Sequence, residues 1–250
     1  MSGSIYMATS GAEVQRLRLQ ILSNNLANIN TAGFKEDRAV FRLPEQGLDS
    51  ANDPRDSLSD SATSFSSVIP MTTHTNYAHG PIQRTGNPLD LAIEGKGFFS
   101  VQTDQGVRYT RNGSFTINPE GVLSTQDGDP IMGEGGEITI DGSDVSFDGS
   151  GNVIVDGILT DKLKIVTFSD TKALQKIGRS LFRLDENKGA EEPLAFGGVQ
   201  QGFLEGSNVN AVKVMTELIE VQRGYESYQK MIKTMDEMAS RVISGVGNTE

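Results

Sequence analysis

Apolar residues near the start of the chain recur at alternating steps of three and four: Ile5, Ala8, Ala12, then Leu19, Leu22, Leu26 and Ile29. Gln15 is the one polar residue in the series. This 3.5-residue spacing predicts a helix over residues 5–29 with a coiled-coil seam. A second stripe, Val14, Leu17 and Ile21, lies off the seam: the helix either lies deep in a globular core or has two neighbours, one from its own chain and one from another subunit. The end of the chain repeats the pattern without a break. Val214, Leu218, Val221, Tyr225, Tyr228, Ile232, Met235, Ala239 and Val242 step by four and three, predicting a helix over about 208–244. Glu226 with Lys230, and Glu237 with Arg241, are pairs four apart in the favourable order. Gly245 and Gly247 are expected to stop this helix.

Between the helices the period falls to two. Leu89, Leu91 and Ile93 alternate, and FFSVQT (98–103) and VRYT (107–110) flank a turn at Asp104-Gln105-Gly106. Asn112-Gly113 predicts a second hairpin, from VRYT into SFTIN. Further turns are expected at Asn118-Pro119-Glu120-Gly121 and at Asp127-Gly128-Asp129-Pro130. EITI (137–140), VSFD (145–148), NVIVDG (152–157), KLKIVTF (162–168) and LFRL (181–184) continue the strands. The expected fold class is α+β: terminal helices pairing as a coiled coil around a central antiparallel β domain, sandwich- or barrel-like. The expected divisions are an N-terminal helix and turn (1–35), an extended connection (36–80), a β domain (81–205) and a C-terminal helix (206–250). Within the connection, residues 49–67 are rich in Ser and Asp, and are expected to be mobile in the free subunit.

Composition narrows the chemistry. The net charge of −11 opposes nucleic-acid binding, which depends on Lys and Arg neutralising phosphates. The acidic excess falls in the middle of the chain, while both terminal regions are close to neutral. Near-neutral helices can pack in many copies, and an acidic body suits a solvated outer surface. With no Cys there is no disulfide framework, thiolate metal site or cysteine nucleophile. No apolar run is long enough for a membrane span, and the start lacks the basic and apolar regions of a secretory signal. The chain is expected to stay in the cytoplasm or to leave by a route that reads no such signal.

Catalytic and ligand motifs fail on inspection. Gly95-Lys96-Gly97-Phe98-Phe99-Ser100 approaches a dinucleotide fingerprint, but Ser100 ends it and Phe98 opens a strand. Asp90 stands where a P-loop needs glycine. His74 and His79 have no Cys or HExxH helix beside them. Asp141, Asp144 and Asp148, with Gly149 and Gly151, suggest calcium, but Leu159 occupies the place of the closing Glu. No nucleophile elbow is present. No catalytic residue, metal or cofactor is expected.

The most specific stretch is SNNLANINTAGFK (23–35). Asn24, Asn25 and Asn28 bond readily to nearby backbone and favour helix ends. Gly33 can take positive φ, and Phe34 offers an apolar anchor. On physical grounds alone this is a helix stop with an anchored turn. As a pattern, Asn24-Asn25-Leu26-Ala27-Asn28 with Thr31, Gly33 and Phe34 resembles the N-terminal signature of the flagellar rod and hook proteins, the axial family of the bacterial flagellum. Residues 86–99 followed by 109–115 resemble that family's central block. Gly206-Ser207-Asn208-Val209-Asn210, with Gln222-Arg223-Gly224-Tyr225-Glu226 further on, resembles its C-terminal block.

The resemblance implies a structural subunit that polymerises helically through paired terminal helices into the torque-transmitting rod. It implies export through the flagellar type III apparatus without a cleaved signal, a periplasm-spanning location, and other rod subunits as partners. Length, Ser4-Ile5-Tyr6-Met7-Ala8 and residues 228–234 favour a proximal-rod member over a distal one. Two rivals make different demands. A secreted β-rich binding module on a coiled-coil stalk would form a soluble oligomer with a surface ligand. An acidic glycan hydrolase would need a carboxylate pair about 5–10 Å apart.

Overall fold

The computed structural model describes residues 2–41, 71–185, 187–193 and 198–246. The Ser/Asp-rich stretch 49–67 lies outside these. Helix α1 spans Ser2–Ala27 and helix α2 spans Ala211–Val246. At 1.5 Å per residue, α2 is about 54 Å long. Gly245 does not end α2, which continues to Val246. A helix tolerates an internal glycine at a cost of about 1 kcal/mol relative to alanine. Between the helices the strands are antiparallel, so the fold is α+β.

The chain divides into two compact units. One takes α1 up to Leu26, strand residues 37–41 and 71–74, and α2 from Ala211; the other takes Ala27–Glu36 and Thr75–Asn210. The second unit centres on an open six-stranded sheet. Its order is 174–178, 181–184, 106–110, 98–103, 165–168 and 191–193. The pleat sends alternate side chains to opposite faces, so Phe99 and Val101 enter one apolar cluster while Phe98 enters another. The first cluster gathers Leu91, Phe115, Leu123 and Val153 from smaller sheets, with Ile138 from outside any strand. The second is aromatic, with Phe98 edge-on to both Phe168 and Phe182.

The hairpin 98–103/106–110 forms as expected, with Gly106 at φ 96°. The hairpin expected at Asn112-Gly113 does not form. Strand 106–110 pairs instead with 181–184, and strand 115–117 pairs with 123–125. Gly113 is needed for a different reason. A Cβ there would meet the Leu91 carbonyl oxygen, the backbone against which Gly113 packs. EITI forms isolated bridges rather than a strand, with Ile138 and Ile140 pointing into the core.

Candidate functional site

Two features could carry function: the helix seams and the turn after α1. In α1, Ala8, Ala12 and Leu22 are buried, while Ile5, Leu19 and Leu26 are half-buried. The second stripe, Val14, Leu17 and Ile21, is half-buried throughout. In α2, Val214 and Val221 are buried, and Leu218, Tyr225, Tyr228, Ile232 and Met235 are half-buried. Every described residue of α2 outside its seam is exposed except Ala211, Glu217 and Gly224, so the spacing marks the inward face. The side chain of Val242 lies outside the described residues. The two helices meet where Gly11 lies under the Tyr228 ring: a Cβ on Gly11 would come 2.5 Å from its Cε1. One turn along each helix, Gly224 lies beside the Gln15 side chain. The outer face of α2 keeps apolar residues in the open: Val212 is 76% exposed, with Met215 and Ile219 on the same side.

The turn after α1 is built by the asparagines. Asn25 is buried and pairs reciprocally with the Asp37 backbone: its Nδ2 donates to Asp37 O at 2.7 Å, and Asp37 N donates to its Oδ1 at 2.9 Å. Asn28 O accepts from Thr31 N at 3.2 Å, and Phe34 N donates to Thr31 O at 3.3 Å. Asn24 and Ala27 face outward. Gly33 takes φ 67° and donates its N–H to Glu205 O at 2.7 Å. Phe34 is buried under the Lys176 ammonium, whose Nζ sits 3.7 Å from the ring centroid and donates to Lys35 O.

Beneath this turn lies a charge cluster that sequence periodicity did not reveal. Lys35 is 0% exposed and donates from Nζ to Glu205 Oε1 at 2.6 Å and to Ala78 O at 2.9 Å. Arg111 donates from Nη1 to Glu205 Oε2 at 3.2 Å and from Nη2 to Gly95 O at 2.6 Å. Gly80 N completes the carboxylate's partners at 2.9 Å. Burial pushes both the Lys35 and Arg111 groups toward the neutral form, against the attraction of Glu205. Burial would raise Glu205, but the charges of Lys35 and Arg111 and the hydrogen bonds from Lys35 and Gly80 together hold it below the ordinary carboxylate range. Asn208 ties the neighbouring strands together. Its Oδ1 accepts from Glu36 N at 2.7 Å, and its Nδ2 donates to Asn76 O and Ala78 O.

The charges of the cluster are spent on backbone groups and on one another. His79 leans on Glu205, 3.7 Å away, while His74 is exposed on strand Met71–Thr75. Asp148 spends its oxygens on its own loop, accepting from Ser150 N, Asn152 N and Asn152 Nδ2.

Gly33 gives a direct test of the turn. A Cβ at this position would lie 2.3 Å from the Arg111 carbonyl carbon and the Asn112 nitrogen, and neither backbone atom can yield. Gly33→Ala adds left-handed strain to that clash. It should therefore lower unfolding stability by about 2 kcal/mol or more, read as a shift in the urea midpoint. An unchanged midpoint would contradict this geometry.

The geometry coincides with matches to known proteins. Residues 5–35, covering α1 and the asparagine turn, match the family described as flagella basal body rod protein. Residues 92–155 match the flagellar hook protein FlgE/F/G D1 domain, and residues 200–245 match the flagellar basal body rod FlgEFG protein C-terminal region. The flagellar basal-body rod protein FlgF of Caulobacter vibrioides is 37% identical over 250 residues, covering 99% of each chain. The chain belongs to the flagellar basal-body rod protein family. The FlgG rod protein of Bacillus subtilis is 34% identical, over 98% of this chain and 99% of its own. The FlgG of the same Caulobacter vibrioides is 34% identical over 92% of this chain and 94% of its own, so within that organism FlgF is the better match. The buried cluster thus joins the rod-protein turn, through Lys35, to the first residues of the C-terminal match, through Glu205.

Proposed function

We propose that this chain is a structural subunit of the proximal part of the rod, FlgF-like, with a mechanical role and no catalytic one. The observation that carries this reading is the likeness to FlgF along 99% of the chain, with three rod-family matches falling in order on the N-terminal helix and turn, the β unit and the C-terminal helix. Its terminal helices pair as a coiled coil and polymerise helically with other copies and other rod subunits. The half-buried second stripe of α1 and the exposed stripe of α2 supply the surface for those neighbours. Each large side chain fully covered on assembly contributes roughly 1.5–3 kcal/mol. Among the described residues no helix is long and apolar enough to cross a membrane. Export proceeds through the flagellar type III apparatus.

Deletion of the gene, followed by electron microscopy of purified basal bodies and complementation, tests the proposal. Rods should be absent or stop short, and the full-length gene should restore them. Intact rods and hooks in the deletion strain would refute a rod role. A distal-rod role is the second reading, carried by the FlgG relatives at 32% and 34% identity across nearly the whole chain. A rod that stops at its distal part would favour it.

A further inference from the structure

The seams of α1 and α2 raise a problem of register. From Ile5 to Leu26 and, in reverse, from Met235 to Val214, the two series take the same alternating three- and four-residue steps. Apolar pattern alone therefore permits the helices to slide past one another by seven residues and still match. Where many copies lie side by side, it also permits one chain's helix to pair wrongly with another's.

We propose that Gly11, Gln15, Gly224 and Tyr228 form a register lock that admits one antiparallel offset only. The inference rests on the coiled-coil pairing proposed above. Two large-on-small contacts define the offset. The Tyr228 ring fits over Gly11, whose own Cβ would collide with it, and the Gln15 side chain fits beside Gly224, with Cδ 3.6 Å from where a Cβ would stand. Four residues forward in α1 match four residues backward in α2, so the helices run antiparallel. Extended along the seam, this offset sets Ala8 level with Ile232 and Ala12 level with Tyr228, small against large. A slide of seven residues would bring Tyr228 onto Arg18 or Ser4, and Gln15 onto Met231 or Glu217. Both contacts are lost at once in either direction.

Gln15 is the informative member. It interrupts an otherwise apolar seam, and among the described residues its Oε1 is buried without a hydrogen-bond donor. A leucine there would bury more apolar surface and leave no acceptor unsatisfied. A polar residue at one seam position lowers stability while fixing register and partner. Gln15 is thus a positioning residue through fit and not through hydrogen bonding: its side chain finds room beside Gly224 at the proposed offset and would meet Met231 or Glu217 at a slipped one.

The test uses engineered cysteine pairs, which stand alone because the native chain has none. Leu19→Cys with Val221→Cys reports the proposed offset. Leu19→Cys with Val214→Cys, and Leu26→Cys with Val221→Cys, report slides of seven residues in the two directions. In the parent chain only the first pair should cross-link on mild oxidation. Gln15→Leu should raise the melting midpoint of the helical unit by roughly 2–4 °C. It should also raise slipped cross-links roughly tenfold. Gly11→Leu should raise slipped cross-links by filling the recess under Tyr228. If both variants keep the parent pattern, the lock is refuted while the helix pairing stands. If the first pair fails to cross-link in the parent chain, the pairing itself is refuted.

Discussion

Glu205→Ala should lower the stability of the β unit by about 3–5 kcal/mol, the range for removing one partner of a buried ion pair. The carboxylate is 2% exposed and is shared by Lys35 and Arg111, so its removal leaves two buried cations without their anion. It also frees the Gly80 N–H that the carboxylate accepts. A single domain has only about 5–15 kcal/mol in hand, so the loss is large, and urea or thermal unfolding will measure it. A change below about 1 kcal/mol would show that the cluster is dispensable. The same group sets an acid limb. Its carboxyl is held below the ordinary range in the folded chain, so its contribution is complete above the unfolded value and disappears as pH falls through the folded one. Glu205→Gln should flatten this part of the stability profile below the usual glutamate range, whereas the parent should lose stability steadily there.

Leu22→Asp should abolish swimming while leaving the β unit folded. Leu22 is a buried seam residue of α1. Aspartate in its place loses the apolar burial and desolvates a charge with no designed partner, at a cost of about 3–5 kcal/mol to helix packing. The damage stays local because the β unit is a separate compact body built from residues 27–36 and 75–210. Motility in soft agar, with the variant as the sole copy, reads the first part, and the thermal transition of the purified chain reads the second. Normal swimming would refute assembly through the terminal helices.

How far the sequence discloses this molecule depends on the range of the interaction concerned. Helical and strand periods are local, and α1, α2 and the 98–103/106–110 hairpin lie where the spacing puts them. Asn112-Gly113 misleads because the same dipeptide serves two purposes. Here the glycine admits a close backbone approach at Leu91 instead of reversing the chain. The asparagine turn was visible as a helix stop, but the exchange of Asn25 with the Asp37 backbone was not. Lys35, Arg111 and Glu205 left no trace in any pattern. Lys35 and Glu205 are 170 positions apart, and an isolated charged residue has no period to betray that folding will bury it. Only the family resemblance set Lys35 and Arg111 within marked blocks, and it gave neither of them a partner.

The chain passes between its two compact units four times, after residues 26, 36, 74 and 210. Three of the segments at those crossings are also stitched to one another, through Asn208 to Glu36 and Asn76. The two units are thus interleaved along the chain: neither is one contiguous stretch, and no single cut in the backbone separates one from the other.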